Sequence, residues 1–165
     1  MQLMPCSASI SKIGWLAASC LWLLLPSTAA AQQPACVARV AAHYGVELRL
    51  VQAILRVEGG RVGMRSRNTN GTYDLGPMQI NTIWLPQLRP KGISEHDLVY
   101  DYCANVAVGT WILARELQRA QAQPNTPEFW QAVGRYHSRT PRHNVRYAVN
   151  VWYQLKRAEH AQAGR

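Results

Sequence analysis

Hydrophobic residues recur every three or four positions over most of the chain, which is the spacing of an amphipathic helix. Glycine, proline and small polar residues interrupt this pattern and divide it into segments. The pattern predicts a short helix at 81–88, a second short helix beginning at Ser94, and longer helices at 35–44, 47–58, 104–121, 126–136 and 142–160. We therefore expect a mainly helical protein.

Capping residues support these boundaries. Asn81, Thr126 and the pair Ser94 and Asp97 are expected to cap the amino-terminal ends of three helices through their side chains. Gly45 and Gly59 stand where the first two helices should end, because glycine adopts the left-handed conformation of a helix terminus without strain.

The apolar stripes of the long helices predict which faces are buried. The stripes of the last three helices are Ala107, Trp111, Ala114 and Leu117; Phe129, Trp130, Val133 and Tyr136; and Val145, Val149, Trp152 and Leu155. Helix 104–121 is expected to be the central helix. Trp84 has two interpretations, a core residue or a wall of a cleft, and the sequence does not decide between them.

Only one segment has the pattern of β-structure. Residues 66–80 indicate a small hairpin about Asn70-Gly71, a strong turn signal. At its end Gln79 and Asn81 alternate with Met78 and Ile80, so the two amides should face one way and the two apolar side chains the other. The alternative interpretation of Gln79 is a buried amide that only satisfies backbone groups. The predicted fold class is α+β, mainly α.

Glu58 is the first candidate for chemistry. It ends the helix 47–58, four residues after Ile54, and thus continues the apolar face that includes Leu50. Partial burial of a carboxyl raises its pKa, because the charged form loses solvation, and keeps it protonated near neutrality, as a general acid requires. The competing interpretation is a solvated glutamate at a frayed helix end.

The amino-terminal segment has the pattern of a secretory signal peptide. Lys12 is its only charged residue; the apolar run 13–25 follows, and then Pro26 and the small residues at 29–31. We predict a signal peptide at 1–31 and one domain at 32–165, with the signal segment as the only membrane contact, since thirteen apolar residues are too few to span a bilayer. An uncleaved anchor is the rival interpretation, and a lipoprotein at Cys20 is weaker.

The cysteines of the expected mature chain are Cys36 and Cys103. In an oxidising compartment outside the inner membrane they are expected to form a disulfide, although two buried free thiols remain an alternative. Neither spacing nor residue type indicates a metal site or a catalytic thiol.

The charge balance bears on partners. The formal net charge is +9, and it falls by one, to +8, without Lys12. This balance suits an anionic wall polymer or a membrane surface. Nucleic acid is not an expected partner, because the arginines are scattered and no recognisable nucleic-acid motif occurs.

Together with Glu58 and the later Tyr136, the segment 70–81, with sequence NGTYDLGPMQIN, resembles the lysozyme-like lytic transglycosylases. The resemblance extends from about Cys36 to Tyr153, and the subgroup most similar serves secretion, conjugation or pilus machines. It implies a lysozyme-like fold, a location in the periplasm and cleavage of the β-1,4 bond between N-acetylmuramic acid and N-acetylglucosamine in peptidoglycan glycan strands. No cofactor or metal is implied.

The resemblance also implies roles for individual residues. Glu58 matches the sole catalytic glutamate of the family, which acts first as acid and then as base. Tyr136 matches a tyrosine that orients this glutamate, and Tyr147 a further tyrosine that lines the site. Residues 78, 79 and 81 of the motif are expected to bind substrate, namely Met78, Gln79 and Asn81. Both tyrosines also lie on inward helix faces, where packing alone would explain them.

Three departures from the family pattern leave alternatives open. Gly59 replaces a common serine, and His137 replaces a common asparagine and is a secondary site candidate. Asp74 lies where hen-type lysozymes carry a second acid. It therefore supports a hydrolytic muramidase using Glu58 and Asp74, although a role in stabilising the hairpin is the preferred interpretation. A third hypothesis is a non-catalytic peptidoglycan-binding factor that guides assembly of an envelope-spanning machine.

Overall fold

The computed structural model describes residues 28–164, and its helices confirm the mainly helical α+β class. The helices are α1 (Thr28–Tyr44), α2 (Leu48–Glu58), α3 (Leu85–Leu88), α4 (Glu95–Tyr100), α5 (Tyr102–Arg119), α6 (Pro127–His137) and α7 (Pro141–Ala163), with single 3-10 turns at Thr82–Trp84 and Arg89–Lys91. The lysozyme-like arrangement is thus a helical body with one small sheet.

The predicted hairpin is present and gains a third strand. Strands β1 (Arg65–Arg67), β2 (Tyr73–Leu75) and β3 (Ile80–Asn81) form an antiparallel sheet in the order β1-β2-β3. Asp74 of β2 pairs with Ser66 on one side and with Asn81 on the other. The sheet therefore brings the motif residues of 70–81 to one edge of the helical body.

The predicted strand alternation at 78–81 is only half right. Met78 and Ile80 are buried and the amides of Gln79 and Asn81 are more accessible, as expected. However, Gly76 to Gln79 form a tight turn, and Gln79 has a φ of 47°. A left-handed residue before β3, rather than a continuous pleat, separates the amides from the apolar pair.

Predicted capping residues are confirmed at most helix ends. The side chains of Asn81 and Thr126 accept hydrogen bonds from Ile83 N and Phe129 N, respectively. Ser94 and Asp97 form a complete capping box at α4. Gly59 ends α2 in the left-handed conformation, with a φ of 61°. Such caps depend on neighbours in sequence and are therefore predictable from it.

α5 is central, as predicted, but its predicted core stripe is only partly right. Ala114 is buried, whereas Ala107, Trp111 and Leu117 are partly buried against the core. The fully buried positions also include Val106, Gly109 and Leu113, which the prediction left out. α5 contacts α1, α4, α6 and β3, so more than one of its faces is covered. A helix surrounded in this way does not show its orientation in a single apolar stripe.

The predicted buried face of α7 is wrong at three of its four positions, and only Leu155 is partly buried against the core. Val145 is 58% exposed, Val149 44% and Trp152 41%, and they border an apolar groove of about 400 Å³ next to α6. The face that packs on α2 and α6 instead carries Tyr147, Ala148 and Val151, together with the polar Asn144. Small and polar residues permit close packing and hydrogen bonding there, so hydrophobicity alone selects the wrong side.

A disulfide joins Cys36 of α1 to Cys103 of α5, which confirms the predicted pair. Their Cα atoms are 6.0 Å apart, and 67 positions separate them in sequence. The bond ties the first described helix to the central one.

Most of the predicted signal peptide lies outside the described residues. Its last four positions, 28–31, belong to the start of α1. Within residues 28–164, no helix combines the length and apolar character that crossing a bilayer requires.

Removing the disulfide should lower the free energy of unfolding. For a loop of this length, chain entropy predicts a loss of about 4 kcal/mol for the double change Cys36→Ala/Cys103→Ala. Urea unfolding followed by circular dichroism measures it, and each single variant should lose nearly as much as the double. An unfolding midpoint that does not change on reduction of the native protein would contradict this.

Candidate active site

A polar cleft of about 520 Å³ opens between the sheet and the helical body. It contains two carboxyls, several amides and two aromatic side chains. Its lining residues are Glu58, Asn68, Thr69, Asn70, Asp74, Gln79, Ile80, Asn81, Ile83, Ile112, Tyr136 and His137. Amides hydrogen-bond both donors and acceptors, so this lining is suited to a neutral polar ligand such as a sugar chain.

Glu58 projects into this cleft from the last residue of α2. Its side chain is partly buried, and the Tyr147 hydroxyl donates a hydrogen bond of 2.5 Å to its Oε1. Desolvation raises the pKa of Glu58 to about 7; the hydrogen bond from Tyr147 opposes this rise, and the negative charge of Asp74 adds to it. The expected inward position and raised pKa of Glu58 are therefore confirmed.

The ring of Tyr147 packs against two other aromatic rings. Its ring stacks on His137 at 4.9 Å between centroids and on Tyr136 at 6.1 Å. Tyr147 itself is buried, and burial together with the nearby Glu58 carboxylate raises its pKa. Its hydroxyl thus remains protonated and can donate to Glu58.

The role predicted for Tyr136 requires correction. Its hydroxyl donates to the carbonyl oxygen of Met78 at 2.9 Å, not to Glu58. The direct contact with Glu58 belongs to Tyr147, for which the sequence predicted only a place in the lining. Tyr136 still lines the cleft, and its hydrogen bond fastens the motif turn to α6.

The expected contact of Met78 with substrate also requires correction. The Met78 side chain is completely buried and packs against Gly109 of α5, where a β-carbon would collide with its sulfur. Met78 is therefore part of the floor beneath the cleft. Its apolar neighbour Ile80, also buried, reaches the cleft lining.

Asn105 of α5 is a positioning residue that sequence reasoning missed. It is fully buried; its Oδ1 accepts from Met78 N at 2.8 Å, and its Nδ2 donates to the carbonyls of Leu75 and Leu98, each at 2.8 Å. Gly76 approaches it so closely that a side chain there would collide with the amide. The sequence feature that could have pointed to Asn105 is its amide side chain near the start of the predicted central helix, outside the predicted apolar stripe.

Gln79 and Asn81 lie in the cleft but are largely engaged within the sheet. Gln79 donates to Gly76 O and accepts from the Ser66 hydroxyl, so both ends of its amide have partners. Asn81 donates to Thr72 Oγ1 and to Asp74 Oδ1, the latter at 2.7 Å. Both residues also line the cleft, and their contact with substrate stays a prediction.

Asp74 of β2 also lines the cleft. Its hydrogen bond from Asn81 links β2 to β3, which agrees with the predicted stabilising role in the hairpin. Its charge still reaches Glu58, because it contributes to the raised pKa of that residue. Asp74 therefore acts electrostatically on the site whether or not it contacts substrate.

Polar contacts fix the junction of α6 and α7. Tyr136 and His137 lie at the end of α6, and Tyr147 lies in α7. Asn144 donates to the carbonyls of Gln131 and Ser138. The buried carboxylate of Glu116 accepts from Arg135 and Arg139 at 3.2 and 3.0 Å. These contacts hold the end of α6 against α5 and α7, and thereby the ring stack over Tyr147.

Two tryptophans lie outside the cleft lining. Trp84 packs edge to face against Trp111, with ring centroids 5.7 Å apart, and the Arg115 guanidinium lies over both rings. Trp84 therefore packs with Trp111 and Arg115 of α5.

Among residues 28–164, no three His, Cys, Asp or Glu side chains come together in a group that could hold a metal ion.

The chain is similar in sequence to a known protein family and to several individual proteins. The family model described as the transglycosylase SLT domain matches residues 35–148. The chain is 32% identical over 148 residues to the invasion protein IagB of Salmonella typhi, covering 87% of each chain. It is 30% identical over 112 residues to a peptidoglycan-binding-like protein of Escherichia coli O157:H7, covering 63% of this chain and 64% of that one. It is 28% identical over 127 residues to the protein IpgF of Shigella flexneri, covering 74% and 80%.

We expect Glu58 to titrate at about 7, and the change Tyr147→Phe to raise its pKa further because the hydrogen bond that favours the carboxylate is lost. NMR titration of the labelled Glu58 side-chain carbonyl measures both values. Tyr136→Phe is the matched control: its hydroxyl contacts Met78 O, so the Glu58 pKa should not move. A rise in Tyr136→Phe but not in Tyr147→Phe would contradict this arrangement.

The raised pKa also predicts a pH-dependent cost to stability. The folded protein keeps the Glu58 proton after the unfolded chain has lost it, so its stability falls as pH rises from about 4.5 through about 7. Glu58→Gln should therefore raise the free energy of unfolding by about 3 kcal/mol more at about pH 8 than below about pH 4.5. Urea unfolding at both pH values tests this, and an equal effect at both would contradict it.

Proposed function

Because the chain belongs to the transglycosylase SLT domain family, we propose that it is a peptidoglycan lytic transglycosylase. The reaction breaks the β-1,4 bond between N-acetylmuramic acid and N-acetylglucosamine and leaves a 1,6-anhydromuramyl end. The single observation that carries this proposal is the position of Glu58 in the lining of an amide-lined cleft, partly buried, so that desolvation raises its pKa to about 7.

In the first step Glu58 acts as a general acid. Its proton passes to the glycosidic oxygen as the bond to the muramyl C1 breaks, and the N-acetylglucosamine departs with a free hydroxyl. A pKa near the working pH gives both a large protonated fraction and a sufficiently strong acid. The hydrogen bond from Tyr147 then stabilises the carboxylate that remains.

In the second step the same carboxylate acts as a general base. It accepts the proton of the muramyl C6 hydroxyl while O6 bonds to C1, which closes the anhydro ring and restores the acid. The substrate's own acetamido group stabilises the positive charge at C1 in this proposal. No second carboxylate and no cofactor is needed.

Asp74 supports a second candidate, a muramidase in which water replaces the C6 hydroxyl. The observation in its favour is that Asp74 lines the same cleft as Glu58 and raises its pKa. Against it, the Asp74 carboxylate accepts a hydrogen bond from Asn81 and so serves the sheet. We therefore prefer transglycosylation.

The biological role we propose is local opening of the cell wall in the periplasm for an envelope-spanning secretion, conjugation or pilus machine. Two similar proteins are named for invasion or as peptidoglycan-binding-like, which supports a wall-directed role in such a system. A non-catalytic wall-binding factor is the remaining alternative, and loss of turnover in a Glu58 variant separates it from an enzyme.

The products of sacculus digestion test the proposal. Mass spectrometry should detect anhydromuramyl ends from the wild type and from Asp74→Asn, at rates within about tenfold of each other, because Asp74 has no chemical step. Glu58→Gln should lose at least about a thousandfold, since it has no proton to exchange. Equal turnover by Glu58→Gln, or reducing ends from the wild type, would overturn the assignment.

A further inference from the structure

A second pocket, of about 260 Å³, lies beside Glu58 and is lined mainly by α7. Glu58 and His137 border both this pocket and the main cleft. The two cavities therefore adjoin each other at Glu58 and His137.

The polar wall of this pocket is one stripe of α7. His143, Arg146, Tyr147 and Asn150 line it and follow the spacing i, i+3, i+4 and i+7, which places them on one helix face. The Tyr147 hydroxyl donates to Glu58, so this face is oriented toward that carboxyl. Arg146 and Asn150 are themselves exposed and available to a ligand.

The two cavities differ in charge. The main cleft contains Asp74 and several amides, and no lysine or arginine is among its lining residues. The second pocket contains Arg146, and Glu58 is the only acid among the described residues that line it. Arg146 forms no ion pair with any residue in 28–164, so its guanidinium charge is not compensated by the protein.

From this asymmetry, and resting on the proposed function, we propose that Arg146, with Asn150, binds a carboxylate of the peptide stem attached to a muramyl sugar. The neutral sugars of the strand would occupy the amide-lined cleft, and the anionic stem would occupy the second pocket. The guanidinium can bond two carboxylate oxygens at once, a geometry that an amide or ammonium group does not reproduce.

Binding of soluble glycan fragments in the Glu58→Gln background tests this without turnover. Two ligands are compared: fragments with native stems, and the same fragments after conversion of the stem carboxyls to amides. Arg146→Gln should weaken binding of native fragments about tenfold, because an exposed charge-assisted pair is of modest strength. The same change should leave binding of the amidated fragments unaltered, and added salt should reduce the difference between the two ligands.

Arg157→Gln is the matched control, since it removes the same charge from an exposed position on α7 outside the pocket. It should bind both ligands like the parent. The inference is overturned if Arg146→Gln binds native fragments like the parent, or if Arg146→Gln and Arg157→Gln weaken binding equally. A loss that is the same for native and amidated fragments would also overturn it.

The binding measurement and the product measurement test the carboxylate subsite and the proposed function separately. The binding measurement uses a variant without the catalytic acid, so it does not depend on which products the wild type makes. Anhydromuramyl ends from the wild type, with no carboxylate-dependent effect of Arg146→Gln, would overturn the inference alone. A carboxylate-dependent effect without any cleavage by the wild type would support the subsite and overturn the enzymatic proposal.

Discussion

The hydrogen bond between Tyr147 and Glu58 is the contact on which the rest of the site depends. It joins the end of α2 to the second turn of α7 across 89 positions of sequence. Two opposing effects meet there: burial favours the neutral acid, whereas the phenol hydroxyl favours the carboxylate. Burial prevails, and the resulting pKa of about 7 allows one side chain to give up a proton and later to take one back.

Much of the structure around this contact serves to hold it. The rings of Tyr136 and His137 stack on Tyr147, and Tyr136 in turn bonds to the Met78 carbonyl. The Met78 amide bonds to Asn105, a buried residue of the central helix. Hydrogen bonds and ring contacts therefore connect the Glu58 carboxyl to α7, α6, the motif turn and α5. Such supporting contacts limit the orientations that the reactive group can adopt.

The sequence allowed prediction of those features that depend on near neighbours. Caps such as Ser94 and Asn81, the turn about Asn70-Gly71 and the inward position of Glu58 follow from local chemistry, and the structure has them. The sequence did not allow prediction of the buried face of α7 or of the hydrogen-bond partner of Tyr136, because both depend on which helices pack together. Asn105 was missed for the same reason: its three backbone partners lie 7 to 30 positions away.

We propose that the Glu58 carboxyl performs both proton transfers, so that the sugar's own C6 hydroxyl, and not water, attacks C1. Digestion of sacculi in water enriched in oxygen-18, followed by mass spectrometry of the new muramyl ends, tests it most directly. If the C6 hydroxyl attacks, the new ends lack the mass of one water and contain no oxygen-18. New ends that carry oxygen-18 at C1 would show that water is the nucleophile and would contradict the proposed mechanism.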